Sequence, residues 1–244
     1  MRTLLTISLI AMSMFIAPLV SAEPTQLEVS ALAHGAKFIG DGTGGARITI
    51  SDAETGAVLA EGITKGGTGD TGLIMKKAQP HWRPVTSEGA ASFTATLDIE
   101  GPRHIAITAS GPLDADMADQ ARASTTTWLM PGEHQSGDGR VVIELLGYFV
   151  QVKNLEMTDG VSVVVDVGML CGCPVVPGGL WDANEIDMRA VLHGSSAEEV
   201  TSLQHVEGTL YHAGFAGEVG EPQVVEFQLR GKNDSNVTVK RVAL

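Results

Sequence analysis

The chain has 244 residues, of which 43% are hydrophobic, 18% charged and only 5% aromatic, with 29 glycines. This composition excludes collagen-like and disordered chains and is typical of a globular protein rich in turns. The formal net charge is −13, from 29 acidic and 16 basic residues. A surface this acidic repels phosphate backbones, so we expect no sequence-independent binding of nucleic acid.

Residues 1–22 have the pattern of a secretory signal peptide, with Arg2 near the start, an apolar run over Leu4–Val20 and small residues in Val20–Ala22. The alternative is an uncleaved anchor, but a run of about 17 apolar residues is at the lower limit for crossing a bilayer. Pro18 and the small residues favour cleavage. Loss of Arg2 leaves 29 acidic and 15 basic residues, a charge of −14. No later apolar run approaches a membrane span, so we expect a periplasmic or secreted protein.

After the predicted signal peptide, the sequence predicts a series of β-strands. Residues alternate between polar and apolar in Arg47–Ser51, Ser92–Asp98, Val224–Arg230 and Asn236–Val242. This period is typical of antiparallel strands with one face on a core and one in water. The other predicted strands are Leu27–Leu32, Ala57–Thr64, His104–Ser110, Ser124–Met130, Arg140–Leu145, Tyr148–Lys153, Val161–Val167, Glu185–Leu192 and Gly208–Phe215. Turn signals separate them at short intervals, which predicts an all-β protein built from β-sandwiches.

Helix is scarce in the sequence. Asp114–Ala123 could form a helix with Asp114 as its N-cap, and Ser195–Leu203 could form one turn with capping-box spacing. Either segment could equally be a loop.

The length of the mature chain predicts two domains. About 222 residues is large for one β-sandwich and suits two of about 100 residues each. The polar stretch Pro131–Gly139 lies between two apolar runs and offers a boundary. We therefore expect an N-terminal β-sandwich over residues 23–132 and a C-terminal one over residues 133–244.

Two segments resemble known modules. Gly35–Gly72 looks like the opening of a transthyretin-like or carboxypeptidase-regulatory-like domain, with a strand at Ala46–Ser51 and an acidic turn at Asp52–Gly56. Glu207–Leu244 is similar to immunoglobulin-like domains of extracytoplasmic bacterial proteins. The resemblance implies two tandem immunoglobulin-like or transthyretin-like sandwiches. Such modules are accessory or binding domains, and the resemblance transfers no catalytic residue.

The most unusual segment contains both cysteines, Cys171 and Cys173, separated by one glycine. A disulfide between them closes too small a loop to add much stability. One interpretation is a redox pair, because a small strained ring is easily reduced. Another is a soft-metal site for Cu(I), with Met169 as a further sulfur ligand and His193 and His212 completing it. The third is purely structural, and the residues alone leave all three open.

Other candidates for chemistry are few. The seven histidines include no HxH, HxxH or HExxH spacing, no GxSxG surrounds a serine, and the glycine runs lack the lysine of a phosphate loop. Trp82 and Trp181 lie in proline-rich loops and are candidate contacts for a partner or a sugar. We therefore predict an exported, non-enzymatic binding or accessory module, with a periplasmic copper-binding or thiol-redox protein as the alternative. A third interpretation, part of a larger surface assembly, follows from the resemblance alone.

Overall fold

The structure, a computed structural model, describes residues 22–78 and 85–244 and is all-β. It contains 57% strand and 8% helix, arranged in several sheets. The prediction of an all-β protein is confirmed at this level. Within the described ranges, no helix has the length and apolar character needed to cross a membrane. The predicted signal peptide lies almost entirely outside the described residues.

Residues 23–145 contribute two sheets. The strands are β1 (Glu23–Ala33), β2 (Arg47–Asp52), β3 (Val58–Ile63), β4 (Phe93–Ile99), β5 (Arg103–Gly111), β6 (Ala121–Leu129) and β7 (Val141–Leu145). One sheet has the order β4-β1-β7 and the other β3-β2-β5-β6. Three 3-10 turns, Asp41–Thr43, Met117–Asp119 and Gly137–Gly139, and one π-helical turn, Gly72–Lys76, connect or flank these strands.

The alternation in the sequence is the physical basis of these strands. In β5, Ile105 and Ile107 are fully buried, whereas His104 and Thr108 lie on the opposite face and are half-buried. The Phe93 ring packs over Gly62 so closely that a Cβ there would collide with it. This contact joins β4 to β3 and therefore one sheet to the other.

Residues 148–243 contribute two four-stranded sheets and one short pair. The strands are β8 (Tyr148–Glu156), β9 (Val161–Met169), β10 (Val175–Val176), β11 (Trp181–Asp182), β12 (Ile186–Gly194), β13 (Glu198–Ser202), β14 (Gln204–Glu207), β15 (Leu210–Phe215), β16 (Pro222–Gly231) and β17 (Val237–Ala243). The large sheets have the orders β14-β15-β9-β8 and β13-β12-β16-β17, and β10 pairs with β11. A 3-10 turn, Ala183–Glu185, precedes β12.

Neither candidate helix forms. Residues 114–123 contain only the 3-10 turn Met117–Asp119 and the start of β6. Ser195–Leu203 contains strand β13, whose Val200 lies opposite Val191 of β12. The capping-box spacing is present in the sequence, but the segment forms an edge strand, and pairing with β12 satisfies N–H and C=O groups of its backbone. Tertiary pairing therefore overrides the weak local signal.

Strand β7 connects the two parts of the chain. It lies in residues 133–244, predicted as the second domain, yet it pairs in parallel with β1, with Val29 opposite Val141. Further along, the Asn236 side-chain amide donates to the His34 carbonyl oxygen at 3.2 Å. Lys240 pairs with Asp119 across the same boundary. The parts of the chain before and after Leu145 therefore contact each other through polar groups, and their buried apolar residues belong to one cluster.

Candidate functional site

The cysteine segment forms a closed loop directly after β9. A disulfide joins Cys171 to Cys173, whose Cα atoms are 5.4 Å apart. The two residues are only 3% and 5% exposed, and Met169 is buried beside them at the end of β9. The three sulfur-containing candidates are thus brought together, but both cysteine sulfurs are bonded to each other and shielded from solvent.

The backbone of this loop is held by hydrogen bonds at both ends. The Met169 N–H donates to the Cys173 carbonyl at 2.9 Å, and the Gly172 N–H donates to the Met169 carbonyl at 2.8 Å. Gly172 has a φ of +75°, a conformation that glycine adopts without steric cost. A Cβ on Gly172 would lie 2.8 Å from Cγ2 of the buried Thr43. The loop therefore packs directly against the N-terminal part of the chain.

The segment that follows is also tied down. The Tyr211 hydroxyl donates to the Val175 carbonyl at 3.0 Å, and burial, together with the nearby Asp182 carboxylate, raises the pKa of Tyr211 to about 12. The Trp181 indole N–H donates to the Gly35 carbonyl at 3.0 Å. Trp181, predicted as a partner contact, thus makes an internal bond, with its ring half-buried.

The two candidate histidines lie on different sheets. His212 is in β15 opposite Val164 and forms a 3.1 Å hydrogen bond with Ser162 Oγ. Because Val164 is five residues before Met169 in β9, His212 is about 17 Å along the strand from the loop. His193 is in β12, with Nδ1 2.8 Å from Glu198 Oε1. The structure brings neither histidine to the cysteines.

No cluster of three or more His, Cys, Asp or Glu side chains suited to a metal ion occurs among residues 22–78 and 85–244. The copper site predicted on Cys171, Cys173, Met169, His193 and His212 stays a prediction. Trp82, the other predicted partner contact, lies outside the described residues.

A different aromatic residue stands out on the surface. Trp128 in β6 is 54% exposed, and its ring stacks on His104 with centroids 4.9 Å apart and planes 15° from parallel. The two residues are directly opposite each other in the β5–β6 register. They line a cleft of about 480 Å³ together with the β2–β3 turn and the β4–β5 turn. We call this the Trp128 cleft.

One wall of the Trp128 cleft is a satisfied ion pair. Arg103 Nε donates to Asp52 Oδ2 at 3.0 Å. The other oxygen of Asp52 accepts the Thr55 N–H at 2.8 Å and the Glu54 N–H at 3.1 Å. These bonds lower the pKa of the Asp52 carboxyl, and the bond from the Thr55 N–H contributes most. Asp52 therefore anchors the turn and neutralises Arg103.

The remaining acidic groups of the cleft are unpaired. Glu54, Asp98 and Glu100 line it and are exposed. Among the described residues, none of these three side chains has a hydrogen bond or an ion pair. Because the charges of Asp52 and Arg103 cancel, the cleft carries three uncompensated carboxylates beside an exposed indole.

Sequence reasoning missed the Trp128 cleft because Trp128 lies in a strand, where a tryptophan is normally part of a core. The information that was needed lies in the strand pairing. In the pairing of β5 with β6, Ile105 and Leu129 are buried, and His104 and Trp128 therefore occupy the opposite face. The register itself could not be read from one strand.

Comparison with known proteins supplies no further assignment. No family model matches the chain, and no curated protein matches it significantly.

Proposed function

We propose that this protein is an exported, non-enzymatic binding or accessory module made of two tandem β-sandwiches of immunoglobulin-like or transthyretin-like type. The Trp128 cleft is its binding site. The signal-peptide pattern of residues 1–22 supports export to the periplasm or to the outside of the cell. The tandem arrangement is supported by the sheets, which are a three-stranded and a four-stranded one from residues 23–145 and two four-stranded ones from residues 148–243.

The observation that supports binding most strongly is the exposure of Trp128. A tryptophan buries a large apolar area when it is covered, and tryptophan is enriched among residues that dominate interfaces. Trp128 is 54% exposed and is braced by His104. A stacked ring at the rim of a cleft is held in place before a partner arrives, which lowers the entropy lost on binding.

Partner capture with matched variants tests this proposal. We expect the wild-type protein and Val239→Ala to retain the same partner or ligand from native extract, and Trp128→Ala to lose it. Val239 is an exposed apolar residue of β17 outside the cleft, so its variant controls for general loss of apolar surface. Equal retention by all three proteins would remove the cleft from the proposed function.

Export is tested separately. Expression of the full chain with fractionation and N-terminal sequencing should give an exported protein beginning at Glu23, directly after the predicted cleavage site. A protein that stays with the membrane fraction and keeps Arg2 would contradict the predicted cleavage.

A thiol-redox role is the second candidate, and the disulfide favours it over copper binding. Cu(I) needs the thiolates of Cys171 and Cys173, but these two sulfurs are bonded to each other. We expect thiol counting on the native protein to find none, and two after a dithiol reductant. Two free thiols in freshly exported protein would restore the copper interpretation, and a disulfide that resists reduction in the native state would argue against both.

A further inference from the structure

We propose that the Trp128 cleft recognises an organic cation, an ammonium or guanidinium group such as the side chain of lysine or arginine. This inference rests on the proposed binding function and names the chemistry of the ligand. Three properties of the cleft lead to it: its charge, its aromatic wall and the chemistry of its free polar groups.

The charge of the cleft is negative and uncompensated. Arg103, the permanently charged base among the lining residues, is 3.0 Å from Asp52 and is neutralised by it. Glu54, Asp98 and Glu100 remain, and none of them has an ion-pair partner in the described part of the chain. A cation within a few ångströms of them gains favourable Coulomb energy, and the contributions of the three carboxylates add.

The aromatic wall adds a second attraction for the same ligand. A cation within about 6 Å of an indole centroid is attracted by the ring quadrupole, and tryptophan is the best side chain for this. His104 stacks on the Trp128 ring, and the indole is still 54% exposed to solvent. The exposed part of the ring and the carboxylates border the same cleft. A cation there can contact both.

A neutral sugar fits these groups less well. Stacking on Trp128 would be available to it, and its hydroxyls could donate to Glu54, Asp98 and Glu100, but they would leave the charges of all three carboxylates uncompensated. Burial of an unpaired charge is strongly unfavourable. Carboxylates only accept hydrogen bonds, and an ammonium or guanidinium group only donates them. The free groups of the cleft therefore complement a cation.

Calorimetric titration of the purified protein with defined probes tests the proposal. Nα-acetyl-lysine methylamide presents one ammonium group, and pentalysine presents several on a peptide. Penta(acetyl-lysine) has the same backbone without charge, and maltohexaose represents a neutral sugar. Binding of both lysine probes indicates recognition of the isolated cation, whereas binding of pentalysine alone indicates a basic segment of a protein.

Three variants locate the binding. We expect Trp128→Ala to weaken binding of the lysine probe roughly two- to thirtyfold and Glu100→Gln about two- to fivefold. Glu207→Gln removes the same charge from exposed strand β14, outside the cleft, and should leave the affinity unchanged. The affinity should also fall as the salt concentration rises, because the carboxylates are exposed.

The outcomes separate the inference from the function it rests on. Binding of maltohexaose that Trp128→Ala abolishes, without binding of either lysine probe, would overturn the cation and keep the cleft as a binding site. Equal weakening by Glu100→Gln and Glu207→Gln would show attraction by net charge and would also overturn the proposal. If wild type binds a natural partner unaffected by Trp128→Ala, both the inference and the cleft's function fail.

Discussion

The disulfide loop and the Trp128 cleft differ in the types of residue that they contain and in how accessible those residues are to solvent. The loop contains the most reactive residue types of the chain, yet Cys171 and Cys173 are bonded to each other and only 3% and 5% exposed. The cleft is built from ordinary surface residues, yet Glu54, Asp98 and Glu100 lack partners in the described part of the chain and Trp128 is 54% exposed.

The difference lies in where the interactions are already satisfied. In the loop, the Met169 and Gly172 N–H groups donate to the Cys173 and Met169 carbonyls. Directly after it, Tyr211 bonds to Val175, so these polar groups have partners within the chain. Among the described residues that line the cleft, only Asp52 and Arg103 form an ion pair. Groups that are satisfied internally contribute to stability, whereas exposed groups without partners are available for a ligand. Substitutions in the two regions should therefore affect different measurements.

The largest effect on stability is expected from Gly172→Ala. The alanine would have to adopt a φ of +75° and place its Cβ 2.8 Å from Thr43. The backbone conformation costs about 1 kcal/mol and the overpacking about 2 kcal/mol more. Gly178→Ala is the control, because Gly178 has a φ of +69° but nothing within 4 Å; it should lose only about 1 kcal/mol. Urea unfolding measures both, and equal losses would show that the Thr43 contact is unimportant.

A smaller loss is expected from the double variant Cys171→Ala/Cys173→Ala. The cysteines are two positions apart, and a loop of about three residues constrains the unfolded chain by only about 1.6 kcal/mol. We expect the free energy of unfolding to fall by about this amount. Addition of reductant to the wild type should reproduce the change and leave the variant unaffected. A loss of 4 kcal/mol or more would mean that the loop organises much more of the fold than its contacts indicate.

The pH dependence of Asp52 is a milder test. Its hydrogen bonds hold the pKa below the usual range, so its carboxylate stabilises the fold at pH values above about 4. This stabilisation is lost as the pH falls through the lowered pKa. Asp52→Asn should therefore lower Tm most at pH 7, and the difference from wild type should shrink progressively as the pH is lowered below 4. Asp98→Asn, at an exposed carboxylate without a partner among the described residues, should leave Tm unchanged at both pH 7 and the lower pH values. A constant difference for Asp52→Asn would assign its effect to packing.

The smallest effect on stability is expected from Trp128→Ala, which should change the free energy of unfolding by no more than about 0.5 kcal/mol. A buried tryptophan would cost about 3–5 kcal/mol when truncated, but Trp128 is 54% exposed. Thermal and urea unfolding can measure this alongside ligand binding. A core-like loss would transfer Trp128 from the binding site to the structural residues and would remove the contrast between the two regions.

The sequence by itself determined the strands and where most of them lie. Side chains in a strand alternate between two faces, so a pattern such as Phe93–Ile99 specifies which residues are buried from local information alone. The proximity of Cys171 and Cys173 is likewise local, because only one residue separates them. Every step of this reasoning needs only neighbours along the chain.

The tertiary structure decided which strands pair and whether each strand face packs against the core or lies in solvent. Residues 141–145 read as a strand, but their pairing with β1 depends on residues more than 100 positions away. Ser195–Leu203 has the residue spacing of a helix start, but it forms strand β13 because its backbone pairs with β12. The exposure of Trp128 also depends on its partner strand and two distant turns. Burial and register are properties of the assembled sheets, so no single segment of sequence contains them.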